Sequence, residues 1–279
     1  MLTDIWETAT GTIIGKDHIH GQKNNQDAGR VVVGDKALVV LVSDGCSAGK
    51  HSEVGANLGA SILAESLNRN LSLAKTDTFS ILALEALLER SRQDTLAAIR
   101  ILANAMGGSF SQTIEDYFLF TALGVIITNQ ETLLFAVGDG VFFLNGEMIE
   151  LLPFAGNKPP YLAYALVDTT LGGPDLFRLR TIRSLPTKQL ENLVVGTDGV
   201  KDLIKAEGLK LPGQTEMVKS VENLWQDNRF FNNPDQLRRY LTQVNREMKV
   251  FDPRLGVVKV EPRHLPDDTT LVVVRRKEG

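Results

Sequence analysis

The sequence predicts an α+β fold in which antiparallel sheets are packed together with helices on their outer faces. Three observations predict it. Apolar, β-branched runs are joined by very short polar turns, as neighbouring antiparallel strands are. Helical periodicity is confined to two blocks and does not alternate with the strands, which argues against a doubly wound parallel sheet. And the strands are too many for one layer beside two helical blocks, so two sheets are expected.

Taken in order, Ile5–Ile14 alternates loosely and reads as a first strand, followed by a polar, loop-like stretch from Lys16 to Gly21. Val31–Val33 and Ala37–Val42 flank Gly34-Asp35-Lys36 and read as a hairpin, with Asp27 before the first strand and Asp44 after the second. Such a hairpin returns the chain to its starting edge, so the two carboxylates should finish close together. Ser52 to about Leu67 reads as a helix whose Gly55, Ala56, Gly59 and Ala60 form one small-residue face for close packing on a sheet. Phe79 to about Met106 is strongly helical, with Asp77 as the expected N-cap and Gly107-Gly108 as the stop. From Tyr117 the period changes. Phe118–Thr128, Leu133–Val137, Val141–Leu144 and Met148–Leu152 read as strands, the last two joined by Asn145-Gly146. Pro153–Pro174 has neither period and reads as a long connection or flap, giving a segment of about 153–175 that borders the cleft. Leu176–Ile182 and Leu193–Gly196 are expected strands. Val200–Ile204, Thr215–Trp225 and Pro234–Lys249 are expected helices, Phe251–Pro266 a loop, and Thr270–Arg276 the closing strand. The expectation is one domain over residues 1–279.

Composition narrows the function classes. The chain is 43% hydrophobic and 23% charged with a net charge of −4, and it has no basic block of the kind that marks a nucleic-acid surface. Its single cysteine, Cys46, excludes an intrachain disulfide and points to a reducing compartment. The acidic start lacks a signal-peptide pattern and no apolar run approaches a membrane span, so no membrane association and a cytoplasmic location are expected. No heptad seam or apolar surface helix speaks to oligomeric state.

One local pattern recurs. An apolar strand ends in Asp-Gly at Asp44-Gly45, Asp139-Gly140 and Asp198-Gly199, and Asp267-Asp268 precedes the closing strand. A single Asp-Gly is an ordinary turn. Together with Asp27, though, the set gathers carboxylates where strands begin or end, and carboxylates at one edge raise one another's pKa unless a cation lies between them. Oxygen ligands of this kind suit Mg²⁺ or Mn²⁺. Two such ions lower the pKa of a shared water and clamp a phosphoryl group for in-line attack. The four histidines are scattered, and His18 and His20 read as solvated loop residues. Cys46 has no partner at zinc spacing and reads as a turn residue.

These residues carry a resemblance to the metal-dependent Ser/Thr protein phosphatases of the protein phosphatase 2C type. Asn25-Gln26-Asp27-Ala28, Val42-Ser43-Asp44-Gly45, Val137-Gly138-Asp139-Gly140, Gly196-Thr197-Asp198-Gly199-Val200-Lys201-Asp202 and Asp267-Asp268-Thr269-Thr270 resemble the family's motifs, in family order, over residues of about 15 to 275. Asp44 to Ala60 is most similar to bacterial members. The resemblance implies a four-layer αββα sandwich and hydrolysis of phosphoserine or phosphothreonine in a phosphorylated protein substrate. It implies two Mn²⁺ or Mg²⁺ ions, with Asp44 bridging, Asp27 and the Gly45 carbonyl on one ion, and Asp198 and Asp267 on the other. Asp139 matches the position of a third, weaker ion in some bacterial members.

Two departures stand out. Gln22 occupies the place where many members carry a phosphate-gripping Arg. Lys23, His20 or Arg30 are the substitutes at hand, but a lysine lacks the bidentate guanidinium fork. Cys46 stands where eukaryotic members carry a histidine. The first departure motivates the competing reading of a pseudophosphatase, a catalytically weak binding or regulatory module. A metal-dependent nuclease is disfavoured by the missing basic groove.

Overall fold

The computed structural model describes residues 2–151, 154, 158–168, 172–252, 254 and 256–277. Its strands are β1 (Trp6–Ile13), β2 (Asp27–Val33), β3 (Ala37–Asp44), β4 (Ala122–Thr128), β5 (Glu131–Val137), β6 (Gly140–Leu144), β7 (Glu147–Leu151), β8 (Arg180–Pro186), β9 (Asn192–Gly196), β10 (Met248–Asp252), β11 (Val257–Glu261) and β12 (Thr269–Arg276). One five-stranded sheet has the order β1-β12-β9-β6-β7 and a second the order β2-β3-β4-β5-β8, with β10-β11 a separate two-stranded ribbon. All pairings are antiparallel. The main helices are α1 (Ser52–Leu73), α2 (Ile81–Met106), α3 (Phe110–Tyr117), α4 (Val200–Lys205) and α5 (Gln236–Val244).

Strand alternation makes the layers. In β3, Val40 and Val42 face the other sheet and meet Phe142, Val195 and Val272. Val39 and Leu41 point the opposite way, into a core shared with Leu63, Leu67, Leu88 and Ile99 of α1 and α2. In β12, Val272 and Val274 belong to the intersheet core, whereas Leu271 and Val273 meet Leu237 and Leu241 of α5. Three apolar cores therefore separate four layers, α-β-β-α, as expected. Among the described residues no helix is long and apolar enough to cross a membrane.

The small-residue face of α1 is buried at Gly55, Ala56, Gly59 and Ala60, with Gly59 against the Phe120 ring. The helix continues past Leu67 to Leu73. The second helix is capped by Ser80, whose hydroxyl accepts from the Ala83 amide, and not by Asp77, which lies on Lys36 instead. Other differences are local. Lys16–His20 forms a single helical turn, not a loop. Residues 110–117 form α3, so the strand expected from Phe118 starts at Ala122. Leu176–Ile182 divides into a 3-10 turn at Pro174–Phe177 and the start of β8. The expected helices Thr215–Trp225 and Pro234–Lys249 shrink to Glu222–Gln226 and Gln236–Val244, and the end of the second is taken up by Met248–Asp252, which pairs with Val257–Glu261 as a ribbon where a loop was expected.

In the 153–175 segment, residues 153, 155–157 and 169–171 lie outside the described residues. The described part is less free than a flap. Tyr161, Leu162 and Ala163 are buried in the helix-side core, Leu162 N–H donates to the Phe120 carbonyl, and Tyr161, Tyr164 and Phe177 form a ladder of rings at 5.7 Å steps.

Candidate metal centre

The hairpin delivers the first two carboxylates by register. Asp27 and Asp44 are direct cross-strand partners in β2 and β3. Asp27 is buried and is the first residue of β2, not outside the strand as the sequence reads. The Thr197 hydroxyl donates to its Oδ2 at 2.7 Å, a bond from β9 of the opposite sheet. Asp44 is held through its backbone, donating to the Thr121 hydroxyl at 3.0 Å and accepting from the Thr121 amide at 2.8 Å.

Asp139 lies where the chain leaves β5 of one sheet and enters β6 of the other. That change needs Gly138 at φ 95° and Gly140 at φ 141°, a backbone open to glycine and strained for other residues. Gly138-Asp139-Gly140 is thus a sheet crossover and not a hairpin turn. Asp198 follows β9 and heads α4. Its neighbour Gly199 approaches the other loop so closely that a Cβ would stand 2.0 Å from the Asp268 carbonyl oxygen.

The two neighbours Asp267 and Asp268 do different work. Asp268 is 2% exposed. It accepts from the Gly15 amide at Oδ1 and the Gln26 amide at Oδ2, both at 2.6 Å, and His18 Nδ1 lies 2.8 Å from Oδ2. Asp267 accepts only the Asp268 amide at Oδ1 and opens towards a cavity of about 30 Å³ that Asp44, Asp139 and Asp198 also line. A polar cluster joins the first and last strands to the first motif: Thr270 donates to Thr12 at 2.6 Å, and Asn25 Nδ2 donates to the same oxygen at 2.8 Å.

Electrostatics follow from this crowding. Burial first, then Asp268, Asp198 and Asp267, hold the Asp27 carboxyl well above the usual range, against the Thr197 bond that lowers it. Burial and then Asp27, Asp198, Asp267 and Asp139 do the same for Asp44. Asp198 is pushed up to about 6 by burial, Asp267 and Asp139, with Lys201 opposing. Burial likewise raises Asp139 and Asp267; Asp267 keeps solvent on its cavity side although its surroundings are dense. Lys201 is tied to Glu150 at 3.0 Å and does not enter the cavity lining. A cluster of carboxylates this acidic and this poor in cations is what a divalent ion relieves.

Of the residues singled out in the sequence, Asp44, Gly45, Asp139, Asp198 and Asp267 line one cavity, and Asp27 lies buried beside Asp44. Gln22 and Lys23 do not line it: Gln22 is exposed with φ 53°, and Lys23 Nζ donates to the Ser47 carbonyl at 2.9 Å. Five lining residues were not among the expected site residues: Gln26, Ser47, Pro159, Tyr161 and His18, the last read from the sequence as a solvated loop residue but packed against Asp268 in the structure. His18 comes closest to the acidic pair, with one of its nitrogens and one oxygen of each of Asp267 and Asp268 within 4.8 Å of one another. Gln26 is 2% exposed, and its Oε1 has no hydrogen-bond partner. Its place directly before Asp27 was the only available signal.

Comparison with known proteins agrees with this architecture. The sequence matches the family described as protein phosphatase 2C over residues 14–242. The chain belongs to the protein phosphatase 2C family, a family of phosphate-ester hydrolases. Among proteins of curated function, none matches. Solved structures with the same fold include the serine/threonine phosphatase Stp1 from Staphylococcus aureus, at 14% identity, TM-score 0.55, covering 98% of this chain and 95% of that one. The serine-threonine phosphatase 2C from Toxoplasma gondii matches at 15% identity and TM-score 0.57, with 98% and 95% covered. The catalytic domain of the phosphatase PstP, solved with two manganese ions, matches at 16% and 0.54, with 98% and 99% covered. These likenesses are of fold.

Proposed function

We propose that the chain works as one phosphatase domain that hydrolyses phosphoserine or phosphothreonine in cytoplasmic phosphoproteins, with Mn²⁺ or Mg²⁺ as cofactor. The observation that carries this reading is the convergence of Asp44, Asp139, Asp198 and Asp267 on one small cavity with no lysine or arginine in its lining. The donor set fits a hard dication: carboxylate oxygens, the Gly45 backbone beside them, and the unpartnered Gln26 Oε1 at the rim. In this reading Asp44, Asp27 and the Gly45 carbonyl on one wall and Asp198 and Asp267 on the other would hold the two ions, with Asp139 available to a third. When bound, the ions would supply a nucleophile at neutral pH and charge stabilisation for the phosphoryl group. The chain's own contribution is positional. Thr197 orients Asp27, Thr121 fixes Asp44, and Asp268 holds the first-motif backbone against the closing strand.

Release of inorganic phosphate from a phosphoserine peptide, measured with and without added Mn²⁺, tests this. Turnover that appears with Mn²⁺ and vanishes on chelation is expected. Binding of the peptide with no turnover at any metal concentration would overturn the enzymatic reading.

A further inference from the structure

A phosphate monoester carries two negative charges into this site, and among the described residues no lysine or arginine lines the cavity to receive them. Gln22 and Lys23 both lie elsewhere, as does Lys201, which is committed to Glu150. The hydrogen-bond donors that do face the cavity are His18, Gln26, Ser47 and Tyr161. Tyr161 differs from the others in origin: it comes from the long connection between the Asp139 and Asp198 motifs.

Several features make Tyr161 a placed donor and not a packing ring with a stray hydroxyl. It is 6% exposed, yet it borders the cavity. Its backbone neighbour Leu162 is anchored on the Phe120 carbonyl at 3.1 Å, two positions from Ala122 at the start of β4. Its ring is braced by Tyr164, and Tyr164 by Phe177. Cys46, Asp44 and Asp139 are the polar neighbours of Tyr161. A phosphoryl oxygen entering the cavity would be a strong, charged acceptor for the Tyr161 O–H.

We propose that Tyr161 is a substrate-binding residue whose phenolic O–H donates to a non-bridging oxygen of the substrate phosphate, so that a neutral donor does here what a guanidinium does elsewhere. The idea rests on the phosphatase reading above for the identity of the ligand. It also assigns the connection a specific role: its base supplies a phosphate contact, while the metal-facing groups come from the strands.

Tyr161→Phe tests it, because phenylalanine keeps the ring that packs on Tyr164 and loses only the donor. Calorimetric titrations of the Mn²⁺-loaded protein with inorganic phosphate, and of the metal-free protein with Mn²⁺, are compared for wild type and variant. The expected result is phosphate affinity weakened by about tenfold, the scale of one hydrogen bond to a charged group, with Mn²⁺ affinity and melting temperature unchanged. Phosphate affinity within about twofold of wild type would overturn the proposal. So would a parallel loss of Mn²⁺ affinity, which would show that Tyr161 acts on the carboxylates. Wild-type turnover of the phosphoserine peptide is measured alongside: its absence with a Tyr161-dependent phosphate affinity retained would remove the enzymatic reading and leave this inference standing.

Discussion

The two walls of the cleft bring their carboxylates together by different means. On one wall, Asp27 and Asp44 face each other across a single hairpin. Their proximity is fixed by a three-residue turn and a strand register that cannot slip without turning Val39 to Val42 inside out. On the other wall, Asp198 and Asp267 sit at the ends of β9 and β12, and Asp139 sits at a crossover between sheets. No local turn relates those three. They are aligned by long-range bonds instead, from Gly15 and Gln26 to Asp268 and from Thr197 to Asp27. A site built half from one hairpin and half from distant strands should respond differently when each half is perturbed.

The hairpin half is tested by Asp44→Asn, which gives the largest effect expected here. It removes a charge from the centre of the cluster and leaves the register intact. Mn²⁺ affinity should fall by about 100-fold or more, beyond the loss typical of an outer-shell change, and phosphatase activity should fall with it. The metal-free protein should melt at the same temperature or higher, because one of several mutually repelling carboxylates is neutralised. Full Mn²⁺-dependent activity in this variant would remove Asp44 from the centre. The other wall is tested by Asp268→Ala, which removes a carboxylate that the proposed ligand set does not itself use. It leaves the Gly15 and Gln26 amides without their acceptor, so Mn²⁺ affinity should drop by roughly 10–100-fold and the melting temperature should fall too. Asp268→Asn keeps one acceptor oxygen and should lose less on both counts. If Asp268→Ala binds Mn²⁺ like wild type, the second wall is preorganised without that brace.

The same contrast explains what could be read from the sequence. The hairpin and its two carboxylates were legible because everything that fixes them is local: two β-branched runs, one short turn, and an Asp beyond each end. The recurring Asp-Gly ends marked the other acids, although not that Gly138 to Gly140 changes sheets, since a crossover and a hairpin turn use the same residues. His18 was hidden by its polar surroundings. Only the return of Asp268 from the far end of the chain turns that stretch towards the site. Tyr161 was hidden by the absence of any period around it, because its burial comes from Tyr164, Phe120 and the helix-side core and not from an element of its own. The helix expected over Pro234–Lys249 is shortened for a similar reason: Met248 and Lys249 pair with Glu261 and Val260 of the exposed ribbon strand β11, a partner far enough along the chain that local spacing does not show it.

A pH experiment sharpens the comparison further. Asp198 has a folded pKa of about 6, and Asp27 and Asp44 are raised as well, whereas an unfolded aspartate titrates near 3.9. The folded metal-free protein therefore binds more protons than the unfolded chain between those values. By linkage its stability falls as pH rises through that window. The melting temperature of metal-free protein should decline from about pH 4.5 to about pH 7, and Mn²⁺ should raise it most at the upper end, where the carboxylates are fully charged. In Asp198→Asn part of that slope should disappear. A slope of the opposite sign in the metal-free wild type would mean that the carboxylates are compensated by something other than a cation.

The smallest effect is expected outside both walls, at Gln22. In related enzymes an arginine at this place grips the substrate phosphate, so the sequence alone makes Gln22→Arg look like a repair. The geometry argues otherwise. Gln22 stands exposed just past the helical turn Lys16–His20, and neither it nor Lys23 lines the cavity. A guanidinium placed there would meet the phosphate through solvent, where exposed charge pairs contribute little. Lys23 is tied to the carbonyl of Ser47, a cavity-lining residue, and already places a positive charge beside the site. KM for a phosphoserine peptide should therefore fall by less than about threefold, with Mn²⁺ affinity unchanged. A tenfold or greater fall would show that position 22 reaches the phosphate directly, and would shift the phosphate-binding role from Tyr161 back to the loop before the hairpin.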